Sequence, residues 1–269
     1  MLEKINETVE FLRQKGISGP EAGVILGTGL GGLTARIKNI KEIDYKDIPH
    51  FPVSTVEGHA GLLIYGDFGG KKIVAMKGRF HYYEGYHPEQ IAFPIRVMKY
   101  LGIKYLFLSN AAGGVNPDFH IGDIMIIKDH ISLIPNPLIG RNDNRIGPRF
   151  PDMSHPYDPI LIGMAEKIAA RNNITVRKGV YLGTTGPTFE TPAEYKYFRI
   201  IGADSVGMST VTEVIAARHM GLPVFGVSII TDLGVEGKIE YVTHDMVQRE
   251  AEKAESRMTT IMTELISEL

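Results

Sequence analysis

Four side chains that can bind a small oxyanion stand in short polar segments of the sequence. Arg79 carries a planar guanidinium that suits phosphate oxygens. His81 lies two residues later, so on extended backbone both side chains face the same side. Thr28 lies among glycines, and Ser209 precedes a predicted helix. Taken alone, "GRFH" would favour an arginine in a surface ion pair and a histidine in a turn. Together, the four residues predict an oxyanion site.

The glycines of "VILGTGLGG", residues 24–32, match the G-x-G-x-x-G pattern of dinucleotide-binding turns. Such a site also needs an acidic residue about 20 positions later, at the end of the second strand. Here that region is "YKDIPHFPVSTVEG", in which neither Asp47 nor Glu57 follows an apolar run. The sequence therefore favours an anion site made of backbone N–H groups and the Thr28 hydroxyl. A nucleotide-binding oxidoreductase remains the alternative, on the glycine motif alone.

Other reaction chemistries receive little support from the sequence. The spacing of His81, Glu84 and His87 does not match a zinc motif, so we expect no metal. Glu84 is better explained as an acceptor that orients a histidine. Ser209 does not stand in the G-x-S-x-G motif of serine hydrolases. The absence of cysteine excludes thiolate nucleophiles and disulfides.

Short apolar runs alternate with amphipathic stretches along the chain, which predicts an α/β fold. The predicted strands are Val24–Leu26, Leu62–Tyr65, Ile73–Met76, Tyr105–Leu108, Asp123–Ile127, Gly179–Leu182, Ser205–Val206 and Val224–Ile230. The predicted helices are an N-terminal one, Pro88–Leu101, Pro159–Asn172, Thr191–Ile201, Thr210–His219 and Asp245–Leu269. Several strands lead into polar or glycine-rich clusters, which we expect to converge at one edge of the sheet.

The bulk properties limit the class of protein. A net charge of -2 without a Lys/Arg run argues against nucleic-acid binding. The sequence contains neither a signal-peptide pattern nor a membrane-length apolar run, so we expect a cytoplasmic protein that does not bind membranes. Residues 1–269 contain no linker or composition shift, which predicts a single domain. Residues 129–160 read as a long irregular loop, which is usually functional or disordered.

Six segments together carry a family resemblance: "GRFHYYEGY", "SNAAGGVNP", "GDIMIIKDHI", "GPRFPDMS", "GPTFETPAEY" and "GADSVGMSTVTEVIAARH". The chain resembles the purine nucleoside phosphorylases that form homotrimers, from about Val24 to His244. This resemblance implies one α/β domain with a mixed, partly barrel-like central β-sheet flanked by helices. It also implies reversible phosphorolysis of purine (2′-deoxy)ribonucleosides to the free base and (deoxy)ribose 1-phosphate. Inorganic phosphate would be the co-substrate, with no metal or organic cofactor.

The resemblance also assigns roles to individual residues. The phosphate site would be formed by Thr28, His59, Arg79, His81, Asn110, Ala111 and Ser209. The ribose would contact Tyr83, Met208 and His244, and the purine would be surrounded by Ala111, Phe189, Glu190, Val206, Thr231 and Asp232. The catalytic residues would be His81, Glu190, Asp232 and His244, with Glu84 behind them. Phe150 would enter the site of a neighbouring subunit in the homotrimer.

Asp232 departs from the family pattern, because members specific for 6-oxopurines usually carry Asn there. Glu190 suits the N1–H of inosine or guanosine, whereas ionised Asp232 suits the exocyclic amine of adenine. A protonated Asp232 would instead act as a general acid to N7. We predict a preference for inosine and guanosine with tolerance of adenosine. A methylthioadenosine or broad-specificity phosphorylase and a catalytically silent nucleoside-binding protein remain as alternatives.

Overall fold

Nine β-strands form one mixed sheet within residues 1–27, 31–53, 55 and 60–269, which the computed structural model describes. The strands are β1 (Ala22–Leu26), β2 (Lys38–Asp44), β3 (Leu62–Phe68), β4 (Lys71–Lys77), β5 (Tyr105–Gly114), β6 (Ile124–Ser132), β7 (Val176–Gly183), β8 (Ser205–Gly207) and β9 (Val224–Leu233). The helices in the same residues are α1 (Leu2–Gln14), α2 (Pro88–Leu101), α3 (Pro159–Arg171), α4 (Pro192–Ile200), α5 (Val211–His219) and α6 (His244–Ser267).

Part of the sheet closes into a barrel. The strand order is β2-β3-β4-β1-β5-β8-β7-β6-β9, and β5 also pairs with β9. Strands β5, β8, β7, β6 and β9 therefore form a closed ring, while β1 to β4 extend from β5 as an open sheet. The pairings are both parallel and antiparallel. The predicted α/β fold, with a mixed and partly barrel-like sheet flanked by helices, is confirmed.

Local sequence signals explain where the helices begin and how the core is filled. Asp158 caps α3 through the backbone N–H groups of its first turn, and Thr191 with Glu194 forms a capping box on α4. Helix α6 buries an apolar stripe against β9 and α3 that includes Ala254, Met258, Ile261 and Leu265. Strand β1 is buried at all five positions, as its apolar sequence predicts.

The structure corrects several predicted boundaries. Strand β2 was not predicted, because its polar sequence "KNIKEID" is largely exposed. Strand β5 continues through "SNAAGG", which the sequence had suggested as a cluster beyond the strand end. Strand β6 continues to Ser132, so the irregular segment begins later than residue 129. In the described residues, no helix combines the length and apolar character needed to span a membrane.

The topology also removes the dinucleotide alternative. After β1 the chain forms a six-residue 3-10 helix, Gly31–Arg36, rather than the α-helix of a dinucleotide-binding unit. The next strand, β2, pairs antiparallel with β3 and is not a parallel neighbour of β1. The backbone N–H of Gly32 is bonded to the Glu255 carboxylate of α6, so this group is not available to a pyrophosphate.

Candidate active site

One cavity brings together the residues that the sequence analysis placed in three binding regions. Of the predicted residues, its lining includes Arg79, His81, Tyr83, Asn110, Ala111, Phe189, Glu190, Val206, Met208, Ser209, Thr231, Asp232 and His244. The lining also includes Gly27 of the glycine motif, together with Ala112, Gly113, Pro187, Gly207 and Val247, which the sequence analysis did not single out. Thr28 and His59 lie outside the described residues.

Strand topology explains this convergence. Strands β1, β4, β5 and β9 run parallel to one another, so their carboxyl ends lie at the same edge of the sheet. The pairing of β5 with β9 shifts register between Ala112 and Gly113, which leaves Thr231 as an additional residue on β9. Such a bulge redirects side chains. After this bulge, Asp232 lies opposite Gly113, and both residues line the cavity.

Arg79 is held at one end of the cavity by a buried ion pair. Its Nε donates to Glu213 Oε1 at 2.9 Å, and the two side chains are only 2% and 3% exposed. Its Nη1 donates to the Ser109 carbonyl at 2.7 Å and to Ser209 Oγ at 3.3 Å. Because α5 supplies Glu213 and β5 supplies Ser109, the guanidinium orientation depends on both elements.

A chain of hydroxyl and amide groups continues from Ser209. The Ser209 and Thr210 hydroxyls are 3.0 Å apart, and Asn110 Nδ2 donates to Thr210 Oγ1 at 2.8 Å. Thr210 has a φ of 71°, a backbone conformation that is costly for a β-branched residue. Thr210 lies where the turn after β8 enters α5, and its side chain is buried. The turn thereby places the Ser209 hydroxyl beside Arg79.

His81 is oriented by a carboxylate behind the cavity wall. Glu84 Oε1 lies 3.1 Å from His81 Nδ1 and accepts from the His81 backbone N–H at 2.8 Å. Glu84 Oε2 accepts from the backbone N–H and the hydroxyl of Thr55. Burial opposes ionisation of Glu84, but the hydrogen bonds from His81 and Thr55 prevail and hold its pKa at about 2. Burial lowers the pKa of His81, which favours a neutral ring whose Nδ1–H faces the ionised Glu84.

Two carboxyl groups share the other end of the cavity. Asp232 is 8% exposed, and its Oδ1 accepts from the Thr231 hydroxyl at 3.0 Å. Burial raises the pKa of Asp232 above its ordinary value. Burial, together with the charge of Asp232, raises the pKa of Glu190 to about 7. This end of the cavity is therefore able to retain a proton near neutral pH.

Glycines make room for the backbone and for these side chains. A Cβ on Gly27 would lie 2.8 Å from the Ser109 carbonyl oxygen and 2.9 Å from Asn110 Cα. A Cβ on Gly113 would lie 2.8 Å from Asp232 Oδ2. The first glycine lets β1 approach β5, and the second leaves space for the Asp232 carboxylate.

Phe150 lies apart from this cavity within its own chain. It is 88% exposed and lines a separate depression with Leu138, Ile139 and other residues of the irregular segment. The Arg149 guanidinium lies 5.8 Å from the Phe150 ring centroid and donates to two backbone carbonyls, which anchors this part of the segment. Entry of Phe150 into a neighbouring subunit's site stays a prediction.

Two residues that hold the site were missed from the sequence. Glu213 pairs with Arg79, and Tyr195 donates to Asp232 Oδ2 over 3.4 Å. The signal for Glu213 was present, because a carboxylate inside the largely apolar stretch "VTEVIAA" needs a buried cation as its partner. Tyr195 gave no such signal, because an aromatic residue at helical spacing from Phe198 reads as ordinary core.

Known proteins resemble this chain over nearly its whole length. Residues 21–267 match the model of the Phosphorylase superfamily. The chain is 48% identical over 269 residues to purine nucleoside phosphorylase 1 of Bacillus subtilis, covering 100% of this chain and 99% of that protein. It is 40% identical to the solved structure of Schistosoma mansoni purine nucleoside phosphorylase in complex with adenosine, and 40% identical to that of a Schistosoma purine nucleoside phosphorylase in complex with hypoxanthine. Both cover 99% of this chain and 97% of the other, with TM-scores of 0.94 and 0.93.

Proposed function

The chain belongs to the purine nucleoside phosphorylases of the phosphorylase superfamily, and from that premise we propose that it prefers inosine and guanosine while accepting adenosine as a weaker substrate. The observation that carries this proposal is the pair of carboxyl groups, Glu190 and Asp232, at one end of the cavity, where burial raises the pKa of each. One carboxylate and one carboxylic acid can pair with either kind of purine.

Phosphate occupies the opposite end of the cavity in this proposal. Arg79, His81, Ser209 and the backbone around Asn110 and Ala111 hold it, with Thr28 and His59 contributing as the family resemblance implies. The hydrogen bonds from Arg79 to Ser109 and Glu213 fix the guanidinium before phosphate arrives. Preorganised donors of this kind need little rearrangement when the anion binds.

The reaction then follows from the charges that develop when the glycosidic bond breaks. The ribosyl ring becomes positively charged and the departing purine becomes negatively charged. Phosphate on one side of the ribose stabilises the first charge, and its oxygen forms the new bond to C1′. A proton donor near N7 stabilises the second charge. Tyr83, Met208 and His244 contact the ribose between the two ends, and Phe189 and Val206 cover the purine.

Base recognition depends on which carboxyl group is ionised. For inosine or guanosine, ionised Glu190 accepts from N1–H, and protonated Asp232 donates toward N7 or O6. The partial burial of both groups supports retention of one proton between them. Adenosine is the second candidate substrate, because an ionised Asp232 suits its exocyclic amine. The adenosine complex of the Schistosoma mansoni enzyme gives a specific reason to test it.

The remaining features of the proposal follow the family resemblance. We expect a homotrimer in which Phe150 of one subunit completes the site of the next. Phe150 is 88% exposed and shares a depression with Ile139, which is 78% exposed, and such an exposed apolar surface supports contact with another molecule. We also propose that the reaction needs no cofactor beyond phosphate as co-substrate, and that the protein acts in the cytoplasm.

A substrate panel tests the proposal. We expect release of free base from inosine and guanosine only when phosphate is present, with a smaller kcat/KM for adenosine. A kcat/KM for adenosine tenfold above that for inosine would refute the preference. Asp232→Asn should narrow the specificity toward inosine at pH 7.5. Asp118→Asn is the matched control, because Asp118 is exposed and does not line the cavity. An unchanged inosine-to-adenosine ratio in Asp232→Asn would remove Asp232 as a reader of the base.

A further inference from the structure

Tyr195 is the residue that links the two carboxyl groups at the base end of the cavity. Its side chain on α4 is 3% exposed, and its hydroxyl lies 3.4 Å from Asp232 Oδ2. The same hydroxyl interacts with the Glu190 carboxyl group, which precedes α4. A distance of 3.4 Å is long for a hydroxyl bound to one carboxylate alone, as expected of one donor that faces two acceptors.

The Tyr195 ring is held firmly in this position. A Cβ on Gly234 would lie 2.2 Å from Tyr195 Cδ1, so the ring packs directly on the glycine backbone. Tyr195 also lines a second cavity together with Pro192, Ile200 and Val235. Its hydroxyl contacts Asp232, which lines the active-site cavity.

The chemistry of a hydroxyl determines what it does between two carboxyl groups. A phenol has one O–H to donate and can accept one hydrogen bond. Between two ionised carboxylates it satisfies only one of them. Between one carboxylate and one carboxylic acid it satisfies both, because it donates to the first and accepts from the second. Tyr195 thus favours the state in which the pair holds a single proton.

We propose that Glu190, Tyr195 and Asp232 form a unit that carries one proton, located on Asp232 when a 6-oxopurine is bound and on Glu190 when a 6-aminopurine is bound. This inference rests on the proposed function, in which both carboxyl groups face the base. Burial raises the pKa of each carboxyl group, which supports retention of that proton.

The two locations of the proton match the two kinds of purine. Before a base binds, the acid donates to the Tyr195 oxygen, and exchange moves the Asp232 proton to that oxygen and the Tyr195 proton to Glu190. One O–H bond breaks and one forms at each step, and no other reactant is needed. When inosine binds, the Asp232 proton turns from Tyr195 to the base, while ionised Glu190 accepts from Tyr195 and from the N1–H of inosine. When adenosine binds, the Glu190 proton turns from Tyr195 to N1 of adenine, while ionised Asp232 accepts from Tyr195 and from the amine of adenine.

Few other groups influence this proton. Among the described residues, Asp232, Tyr195 and Glu194 influence the pKa of Glu190. Asp232 accepts hydrogen bonds from Thr231 and Tyr195. Glu194 is engaged in the α4 capping box through Thr191, and those bonds lower its pKa. It therefore stays ionised and does not compete for the shared proton.

The pH dependence of specificity tests the proposal. If one proton is shared, inosine and adenosine both use the singly protonated pair, so the ratio of their kcat/KM values is constant between pH 6 and 8.5. Ionisation of phosphate affects both substrates and cancels in this ratio. In Asp232→Asn, Glu190 titrates alone, so the inosine-to-adenosine ratio should rise roughly tenfold per pH unit. A wild-type ratio that also rises by roughly tenfold per pH unit would overturn the shared proton.

Tyr195→Phe tests the hydroxyl itself. Without the bridge, the singly protonated state loses stability, so both pH profiles should become narrower and both kcat/KM values should fall together by about threefold or more, with the KM for phosphate unchanged. Tyr197→Phe is the matched control, because Tyr197 lies on the same helix and is 51% exposed. Profiles of Tyr195→Phe that superimpose on the wild type would refute the bridge.

These outcomes separate the inference from the proposed function. An enzyme that prefers adenosine tenfold but keeps a constant ratio refutes only the preference. An enzyme that prefers inosine but has a ratio that varies with pH refutes only the shared proton. If Tyr195→Phe does not fold, the contrast in slope between the wild type and Asp232→Asn still decides the question.

Discussion

The ion pair of Arg79 and Glu213 gives a prediction that joins stability to phosphate binding. The pair is bonded at 2.9 Å, and both side chains are almost fully buried. Removal of one partner from a buried pair costs about 3 kcal/mol or more, since the remaining charge loses its partner. Glu213→Gln keeps the shape of the side chain but removes its charge. We expect its ligand-free form to be less stable than the wild type by about 3 kcal/mol.

Phosphate should restore part of this loss. A ligand that binds only the folded state adds about 2.7 kcal/mol of stability at a concentration one hundred times its Kd. In Glu213→Gln the phosphate dianion meets a guanidinium that no longer pairs with Glu213, so the electrostatic attraction increases. The rise in Tm on addition of phosphate should therefore be larger for the variant than for the wild type. The kcat should fall, because Arg79 is no longer oriented by α5.

Thermal unfolding at several phosphate concentrations measures this effect. For a chain of this length, about 3 kcal/mol corresponds to a decrease in Tm of roughly 6–12 °C. Glu250→Gln is the matched control, since Glu250 pairs with Lys253 at the surface and such pairs contribute little. A variant with the wild-type Tm, or with a smaller response to phosphate than the wild type, would refute the reasoning.

Three further predictions concern the phosphate end of the site and the subunit contact. Arg79→Ala should raise the KM for phosphate by roughly tenfold to hundredfold, because it removes charge-assisted hydrogen bonds; an unchanged KM would exclude Arg79 from the site. Glu84→Gln should lower kcat/KM by roughly tenfold or more, because an amide no longer fixes the His81 proton on Nδ1; a profile identical to the wild type from pH 5.5 to 9 would contradict this. Phe150→Ala should lower kcat/KM for nucleosides, and mixing it with Arg79→Ala at low phosphate, where Arg79→Ala turns over little substrate, should restore activity through hybrid trimers. No restoration after subunit exchange would mean that Phe150 does not act across subunits.

Sequence reasoning identified residues that line one cavity better than it identified the backbone that holds them. Arg79 and His81 were found because a cation and an imidazole two residues apart predict a shared direction on extended backbone. "SNAAGG" was placed beyond a strand, although it forms the end of β5. Glycine and asparagine have low β-propensity, but pairing with β8 and β9 outweighs that preference.

The residues that were missed act through contacts distant in sequence. Glu213 meets Arg79 across 134 positions, and Tyr195 meets Asp232 across 37. Pattern analysis reports the local environment of a residue, so it could indicate that Glu213 needs a buried partner but not which one. Thr210 was recognised only as the start of a helix, since its positive φ depends on the packing of the turn after β8.

The spacing along β5 relates the phosphate site that we propose to the purine site that we propose in the same cavity. Asn110 lies at the phosphate end, and Gly113 lies opposite Asp232 at the base end. Three residues of extended strand span about 10 Å, which sets the distance between the proposed phosphate end and the proposed base end. Because both markers lie on one strand, their separation is set by backbone geometry and not by loop conformation. Changes at the base end, such as Asp for Asn at position 232, can then alter specificity while the phosphate end keeps its distance from the ribose.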